Sequence, residues 1–315
     1  MRAIYGVLLW GLLAGGCTPG YLGAGNTPWA SRGRPVELPR SEQFSFSCAA
    51  NETAYEISLA LPEQTAPPSG YRVVYTTDAA LLFSTLVATV RAYDTRRHEV
   101  GHLPTIVIGI GYPPGVDVVA ARSVDLTPQL RGAPVPVVGR KRYETGGADA
   151  LLDCIEFELM PLIKQRVPVD GTQQALFGHS YGGLFALHAL LSRPHLFASY
   201  MVVSPSLWYG AGLIAEELSE FRQRRLGRDR VRALIMVGEY DQILRPSLRG
   251  TPGARARAAE LARRRMVDRA REFAGGLAGV PGVDAAFVEF PGEDHGTVIP
   301  AAISRAMWFF LRPGL

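Results

Sequence analysis

The sequence lacks the marks of several specialised protein classes. Three cysteines among 315 residues are too few for a disulfide-stapled scaffold. The net charge is only +4, and no nucleic-acid-binding motif accompanies the arginines, so we expect no nucleic-acid partner. No internal repeat is found, which argues against a repeat array. The charge-free apolar run from Ala3 to Leu13 is too short to span a bilayer.

The N-terminal run instead predicts a targeting segment. Arg2 supplies the positive start, the apolar core follows, and small residues precede Cys17. This pattern is typical of a bacterial signal peptide over residues 1–17, with lipidation of Cys17 or plain cleavage as the two outcomes. Residues 18–40 are rich in glycine and proline and are predicted to be a flexible tether. We therefore expect an exported protein, periplasmic or membrane-anchored, that meets a membrane only through such a lipid.

The remaining residues, 41–315, are predicted to form one α/β domain, because a hydrophobic content of 47% suffices for a large core. Alternating residues at 44–48 and 55–61 predict an antiparallel pair of strands. From residue 71 onward, buried strands alternate with helices, which predicts a mainly parallel sheet covered by helices on both faces. Residues 122–128 are predicted to lie in a loop, and residues 254–271 in a helix.

The stretch from Gly178 to Gly182 carries the strongest chemical signal. It reads G-x-S-x-G, between an apolar strand and a segment that favours helix. Strand, sharp turn and helix form the context of a nucleophile elbow, in which Ser180 lies at the tip of the turn. The two glycines suit the tight backbone. We therefore predict that Ser180 is a catalytic nucleophile.

A serine nucleophile needs a base and an acid, which in this architecture follow it along the chain. Of six histidines, only His295 lies far downstream, in a loop after a predicted strand, and it is the predicted base. The acid should follow the apolar strand at 231–237, where Asp241 is preferred and Glu239 is the alternative. Asp294 follows a different strand and is interpreted as a solvated loop acid.

The developing oxyanion requires two backbone N–H donors. One is expected from Tyr181, the residue after the nucleophile. The other is expected from the loop that follows the strand at 105–110, near Gly111 and Tyr112.

Two further patterns have more than one interpretation. His98 to His102 matches the zinc-peptidase pattern H-E-x-x-H, but Gly101 and Pro104 break the helix that this motif needs, so we expect no metal. The arginine-rich stretch 254–271 is interpreted as a solvated surface helix with an apolar stripe at Leu261, Met266 and Phe273. Attraction to an anionic ligand or membrane surface is the alternative.

Cys48 and Cys154 remain once Cys17 is set aside. An oxidising compartment permits a disulfide between them. Their proximity does not follow from the sequence, and two separate buried thiols are the preferred interpretation.

Five segments taken together resemble one branch of the α/β-hydrolases, which includes esterase D, feruloyl esterases, mycolyltransferases and siderophore esterases. They are Gly109 to Pro113, Arg122 to Pro128, Phe177 to Phe185, Ser204 to Trp208, and Asp294 to Thr297. The chain looks most similar to the periplasmic esterases of trilactone siderophores, over about residues 40 to 312. The resemblance implies an α/β-hydrolase fold and hydrolysis of ester bonds in a catecholate macrolactone or its iron complex.

By the same resemblance, Arg122 and Trp208 would contact the substrate, and His179 is a further candidate for such a contact. A salt bridge from Arg122 to Asp125 and a core position for Trp208 are the structural alternatives. Some siderophore esterases of this branch lack a clear triad acid, and Asp241 lies in none of the five segments, so its assignment rests on its position after a predicted strand.

These observations predict a serine carboxylesterase that needs no cofactor and acts on a small ester. The sequence leaves the oligomeric state open, and a monomer is the preferred interpretation. Acyl transfer by the same residues, a non-catalytic envelope binding protein and an H-E-x-x-H zinc peptidase are the alternatives.

Overall fold

The computed structural model of the chain describes residues 36–95, 103–132, 137–138, 141–223 and 230–311. The predicted signal peptide, Cys17, nearly all of the predicted tether and the H-E-x-x-H pattern at 98–102 lie outside these residues. In the described ranges, no helix has both the length and the apolar character needed to cross a membrane.

The described strands are β1 (Ser41–Cys48), β2 (Thr53–Ala60), β3 (Tyr71–Thr76), β4 (Thr105–Gly111), β5 (Val137–Val138), β6 (Lys141–Arg142), β7 (Val169–His179), β8 (Ser199–Val203), β9 (Val231–Gly238) and β10 (Val283–Phe290). The described α-helices are α1 (Ala79–Asp94), α2 (Val118–Asp125), α3 (Ala148–Cys154), α4 (Met160–Arg166), α5 (Tyr181–Ser192), α6 (Leu213–Arg222), α7 (Ala254–Arg264), α8 (Met266–Ala278) and α9 (Val298–Leu311). A π-helical turn, Ile155–Leu159, joins α3 to α4.

Eight of these strands form one sheet in the order β1-β2-β4-β3-β7-β8-β9-β10. The pairs β1–β2 and β2–β4 are antiparallel, and every pair from β4 to β10 is parallel. The prediction of a mainly parallel sheet that begins with antiparallel strands is thereby confirmed. The six parallel strands end at one edge, here called the carboxyl edge, where the loops that carry functional groups usually lie.

Helices cover both faces of this sheet, because its central strands are apolar on both sides. In β3, Val73 and Tyr75 join the core beneath α3, α4, α5, α6 and α8. Val74 points the other way, into the core beneath α1 and α9. This alternation follows from the two-residue period of a strand.

Two local predictions differ from the structure. Residues 122–125 of the predicted loop 122–128 belong to α2, because the side chain of Asp117 accepts hydrogen bonds from the amides of Val119 and Ala120 and so caps a helix. The helix predicted over 254–271 is interrupted at Arg265, whose φ of 48° is left-handed and ends α7 before α8 begins. The predicted stripe of Leu261, Met266 and Phe273 is buried.

The preferred interpretation of Cys48 and Cys154 as separate thiols is wrong. The two residues form a disulfide, with Cα atoms 5.8 Å apart. The turn after β1 lies against the π-helical turn, where the carboxylate of Glu158 accepts hydrogen bonds from the amides of Ala49 and Ala50. This long-range contact brings Cys48 to Cys154 and is not readable from local sequence.

Candidate active site

Ser180 lies between the end of β7 and the start of α5, at the carboxyl edge. Its backbone adopts φ 60° and ψ −115°, a conformation that L-residues rarely occupy. The turn is held by two main-chain hydrogen bonds, from the amide of Ser180 to the carbonyl of Val203 and from the amide of Ser206 to the carbonyl of Ser180. The strained turn predicted for the G-x-S-x-G stretch is therefore present.

Two glycines make this turn possible. A Cβ atom on Gly178 would lie 2.0 Å from the carbonyl oxygen of Gly182. A Cβ atom on Gly182 would lie 2.4 Å from the hydroxyl oxygen of Thr77. Because real contacts of a Cβ atom are longer than 3 Å, a side chain at position 178 would require movement of the backbone, and one at position 182 would require displacement of the Thr77 side chain.

The structure brings the predicted nucleophile, base and acid together. Nε2 of His295 lies 3.0 Å from the hydroxyl oxygen of Ser180. Nδ1 of the same ring lies 2.8 Å from Oδ1 of Asp241. The three residues come from the ends of β7, β9 and β10, separated by up to 115 positions along the chain.

Asp241 is fully buried, whereas the side chain of His295 is 40% exposed. The second carboxylate oxygen of Asp241 accepts hydrogen bonds from the hydroxyl of Ser204, at 2.6 Å, and from the amide of Gly238, at 2.9 Å. Burial alone would raise the pKa of Asp241, but the bonds from His295, Ser204 and Gly238 outweigh it and hold the pKa below its ordinary value. The carboxylate is thus ionised at neutral pH.

The alternative acid, Glu239, faces another way. Its carboxylate accepts a hydrogen bond from the amide of Gly292 and so braces the loop that carries His295. Asp294 accepts bonds from the amides of Gly296 and Thr297 and pairs with Arg245 at 2.9 Å. The sequence does not single out Ser204 as a partner of Asp241. Its position directly after β8, at the carboxyl edge, is the feature that could have indicated a place in the site.

The sheet order argues against Gly111 and Tyr112 as contributors to an oxyanion hole. β4, which ends at Gly111, is separated from β7 by β3, a distance of about 10 Å across two strand spacings. The hydroxyl of Tyr112 bonds to Asp125. The loop that contacts the elbow instead follows β3, because Thr77 and Asp78 pack against Gly182 at the start of α5.

Arg122 is engaged by that same loop. Its guanidinium group makes a two-pronged ion pair with Asp78, with distances of 2.8 and 3.0 Å. The expected alternative, a salt bridge to Asp125, is wrong, because Asp125 accepts the hydroxyl groups of Tyr55 and Tyr112. Arg122 also lies over the ring of Tyr181, 5.4 Å from its centroid, so it remains next to the candidate site.

Trp208 lies beside the residue that follows the nucleophile. The ring centroids of Tyr181 and Trp208 are 6.1 Å apart, and the guanidinium group of Arg264 lies 4.4 Å from the Trp208 ring. Trp208 is only partly buried. Its placement is compatible with the predicted contact to substrate.

His179 does not fit the predicted contact with substrate. The residue is buried, and its Nε2 lies 2.8 Å from the main-chain carbonyl oxygen of His295. Burial and the neighbouring His295 lower the pKa of His179 to about 3, so the ring is neutral and its N–H donates to that carbonyl. His179 therefore ties the elbow strand to the loop of the candidate base.

Within the described ranges, one group of side chains offers closely spaced metal ligands. It consists of Cys48, Cys154 and Glu158, whose ligand atoms lie within 4.8 Å of one another. Two of the three are joined in the disulfide, which removes their thiolates as ligands.

Comparison with known proteins gives a consistent result. The sequence model of a family described as "Putative esterase" matches residues 49–278. The ferri-bacillibactin esterase BesA of Bacillus subtilis is 32% identical over 281 residues, which cover 88% of this chain and 91% of that protein. A siderophore triacetylfusarinine C esterase of Aspergillus fumigatus is 35% identical, over 89% of this chain and 96% of its own.

Solved structures are similar over the same range. The siderophore hydrolase EstA from Aspergillus nidulans superposes with a TM-score of 0.77 at 30% identity. The alignment covers 88% of this chain and 96% of EstA.

Proposed function

The chain belongs to this esterase family, in the branch that contains siderophore esterases, and we propose that it hydrolyses ester bonds of a siderophore through Ser180, His295 and Asp241. The observation that carries the proposal is the unbroken line of hydrogen bonds from Ser180 through His295 to Asp241, at 3.0 and 2.8 Å. The relatives named above act on siderophore esters, and the fold is an α/β-hydrolase fold.

In the proposed mechanism, the hydroxyl of Ser180 attacks the ester carbonyl while Nε2 of His295 takes its proton. The imidazolium that forms is stabilised by the buried carboxylate of Asp241. Collapse of the tetrahedral intermediate returns the proton to the departing alcohol and leaves an acyl group on Ser180. Water, deprotonated by the same imidazole, then releases the carboxylic acid and restores the enzyme.

The negative charge on the tetrahedral oxygen needs donors that are already in place. We assign one to the amide of Tyr181, at the first position of α5, where the helix dipole adds positive potential. The second comes from the amides of the loop Thr77–Ala79, which packs against Gly182. The ion pair of Asp78 with Arg122 holds that loop in place and neutralises its carboxylate.

Replacement of the nucleophile tests this function directly. We expect Ser180→Ala to lose at least about a thousandfold in kcat on a p-nitrophenyl ester, because the triad acts as a unit. A fluorophosphonate should label Ser180 of the wild-type protein and fail to label the variant, which mass spectrometry of the peptide detects. Unchanged melting temperatures would show that the fold persists; retained turnover would refute the assignment. Mass spectrometry with and without an acceptor alcohol separates hydrolysis from acyl transfer.

A further inference from the structure

An uneven distribution of charge marks one side of the candidate site. Between Gln242 and Arg265, here called the arginine segment, the chain carries seven arginines and a single acidic residue, Glu260. The segment follows Asp241 and includes α7, so it extends from the carboxyl edge of the sheet. The charge of the whole chain is only +4, which means that this short stretch is far more basic than the rest.

Both ends of the arginine segment touch the candidate site. Near its start, Arg245 pairs with Asp294, the residue before His295, at 2.9 Å. Near its end, Arg264 stacks on Trp208, whose ring neighbours Tyr181. Burial raises the pKa of Tyr181, and the charges of Arg122 and Arg264 oppose that rise, so both cations act on the residue next to the nucleophile.

Three arginines of the segment are exposed and carry no partner. Within the part of the chain that the structure describes, no ion pair or hydrogen bond engages the guanidinium groups of Arg249, Arg255 and Arg257. By contrast, Arg263 and Arg264 share Glu260, and Arg265 pairs with Glu272. Uncompensated surface cations attract anions over about 8 Å at physiological salt.

The relatives act on different siderophores, so family membership leaves the charge of the substrate open. Siderophores bind iron(III) mostly through catechols or hydroxamates. Three catecholate dianions around one iron(III) give a trianion, whereas three hydroxamate monoanions give a neutral complex. Metal-free catechols are neutral at pH 7.

We propose that the arginine segment is a binding surface for an anionic substrate, so that this enzyme prefers the iron-loaded tris-catecholate ester over its metal-free form and over neutral iron hydroxamates. The inference rests on the proposed esterase function and adds the charge class of the substrate. Arg249, Arg255 and Arg257 draw the trianion to the carboxyl edge, and the Arg264–Trp208 stack receives it beside Tyr181.

The test compares kcat/KM for four esters at about 10 mM and about 500 mM NaCl, a range over which exposed charges become screened. The esters are an iron(III) tris-catecholate trilactone, the same trilactone without metal, an iron(III) tris-hydroxamate triester, and p-nitrophenyl butyrate. At low salt, the wild-type enzyme should have its highest kcat/KM on the trianion. High salt should lower kcat/KM for this substrate about tenfold. The neutral esters should respond little to salt.

Two triple variants isolate the surface. The first variant combines three substitutions, Arg249→Gln, Arg255→Gln and Arg257→Gln. At low salt, it should lower the ratio of kcat/KM for the trianion to kcat/KM for the neutral esters about tenfold. The matched control replaces three other exposed cations by glutamine, Lys164, Arg222 and Arg230, which precede β7 or β9 and so lie at the opposite edge of the sheet. The control removes the same net charge and should keep the ratio.

An unchanged ratio in the first variant, or an equal fall in the control, would overturn the proposal. A separate experiment measures binding of the wild type and both variants to phosphatidylglycerol vesicles by sedimentation. If the first variant loses vesicle binding while the ratio stays constant, the segment is a lipid-binding surface instead. Failure of the esterase function is distinguishable, because then none of the four esters is hydrolysed in a Ser180-dependent way.

Discussion

His179 is the residue whose role changes most between the sequence and the structure. It directly precedes the nucleophile, yet its ring is buried and its Nε2 donates to the carbonyl of His295. The rings of the two histidines lie 4.6 Å apart. This hydrogen bond connects the strand before the proposed nucleophile, Ser180, to the loop that carries the proposed base, His295, and we regard His179 as a positioning residue.

A pair of substitutions tests that role. His179→Leu removes the donor, and we expect kcat to fall more than about tenfold with KM nearly constant, because the base loses its fixed distance to Ser180. His179→Gln keeps an N–H at a similar reach and should retain most of kcat. The downfield proton resonance of the bond between His295 and Asp241 should broaden or vanish in the leucine variant only. Equal losses in both variants would contradict the positioning role.

The two candidate acids are also separable by substitution. Asp241→Asn should reduce kcat at least about a thousandfold, because an amide neither stabilises the imidazolium nor fixes the required tautomer. Glu239→Gln should change kcat less than about twofold, since an amide oxygen still accepts the bond from Gly292. Steady-state kinetics on one p-nitrophenyl ester suffice. The opposite order of effects would assign the acid to Glu239.

At the scale of single residues, the sequence predicts which side chains could take part in the reaction better than it predicts which side chains contact each other. The positions of Ser180, His295 and Asp241 follow from the order of strands and loops, and the structure brings these three residues together. The partner of Arg122 does not follow, because Asp78 lies 44 positions away and comes near only when β3, which precedes Asp78, pairs with β4, which precedes α2. The prediction of Gly111 as a donor differs from the structure for the same reason, because the order of strands across the sheet is not encoded in any single segment.

Among the helices, α3, α5 and α6 meet at one buried side chain. Nδ1 of His188, on α5, lies 2.9 Å from Glu217 on α6, and Nε2 lies 3.1 Å from Asp149 on α3. Burial alone would lower the pKa of His188, but the bonds to Asp149 and Glu217 outweigh it and raise the pKa to about 9. The ring is therefore a cation at neutral pH and joins three helices on one face of the sheet.

This cluster predicts that the free energy of unfolding falls at alkaline pH. The pKa of His188 is higher in the folded protein than its ordinary value of 6.5, so its contribution is complete below that pH and is lost as the pH rises through about 9. The contribution is on the order of 3 kcal/mol in the free energy of unfolding. Urea unfolding at pH 7 and at pH 10 should show a steeper decline for the wild type than for His188→Gln. Parallel declines would contradict the prediction.

Local sequence patterns are enough to predict some helices and strands but not others. α5 follows from its apolar run and from the elbow before it, and β1 and β2 follow from alternation. α2 escaped prediction because it has only eight residues, and its start depends on a cap formed by the side chain of Asp117. The division between α7 and α8 depends on the left-handed backbone of Arg265, a conformation that the residue type gives no reason to expect.

For the whole molecule, the parallel sheet explains why residues distant in sequence form one site. Strands that run in the same direction end at the same edge, so the loops after β3, β7, β8, β9 and β10 converge there. The elbow, the proposed base and acid, and the arginine segment all follow such strand ends. The fold class could be predicted because alternation of strands and helices is a property of the entire chain, independent of any single boundary.

The disulfide is the long-range feature that the sequence left open. It joins residues 106 positions apart and encloses β2, β3, α1, β4 and α2 within one covalent loop. Closing so long a loop restricts the unfolded chain, and we expect the double variant Cys48→Ala with Cys154→Ala to lose about 2–5 kcal/mol of unfolding free energy. Turnover at 25 °C should persist, because neither residue contacts the triad.

Guanidinium unfolding with and without dithiothreitol measures this loss, since reduction of the wild type should reproduce the instability of the double variant. A thiol titration of both proteins after denaturation without reductant provides the control, and it accounts for any thiol of Cys17. The wild type should show no more thiols than the double variant. Two additional titratable thiols in the wild type would mean that Cys48 and Cys154 are free, and the fold would then be held by non-covalent contacts, chiefly those of its two apolar cores.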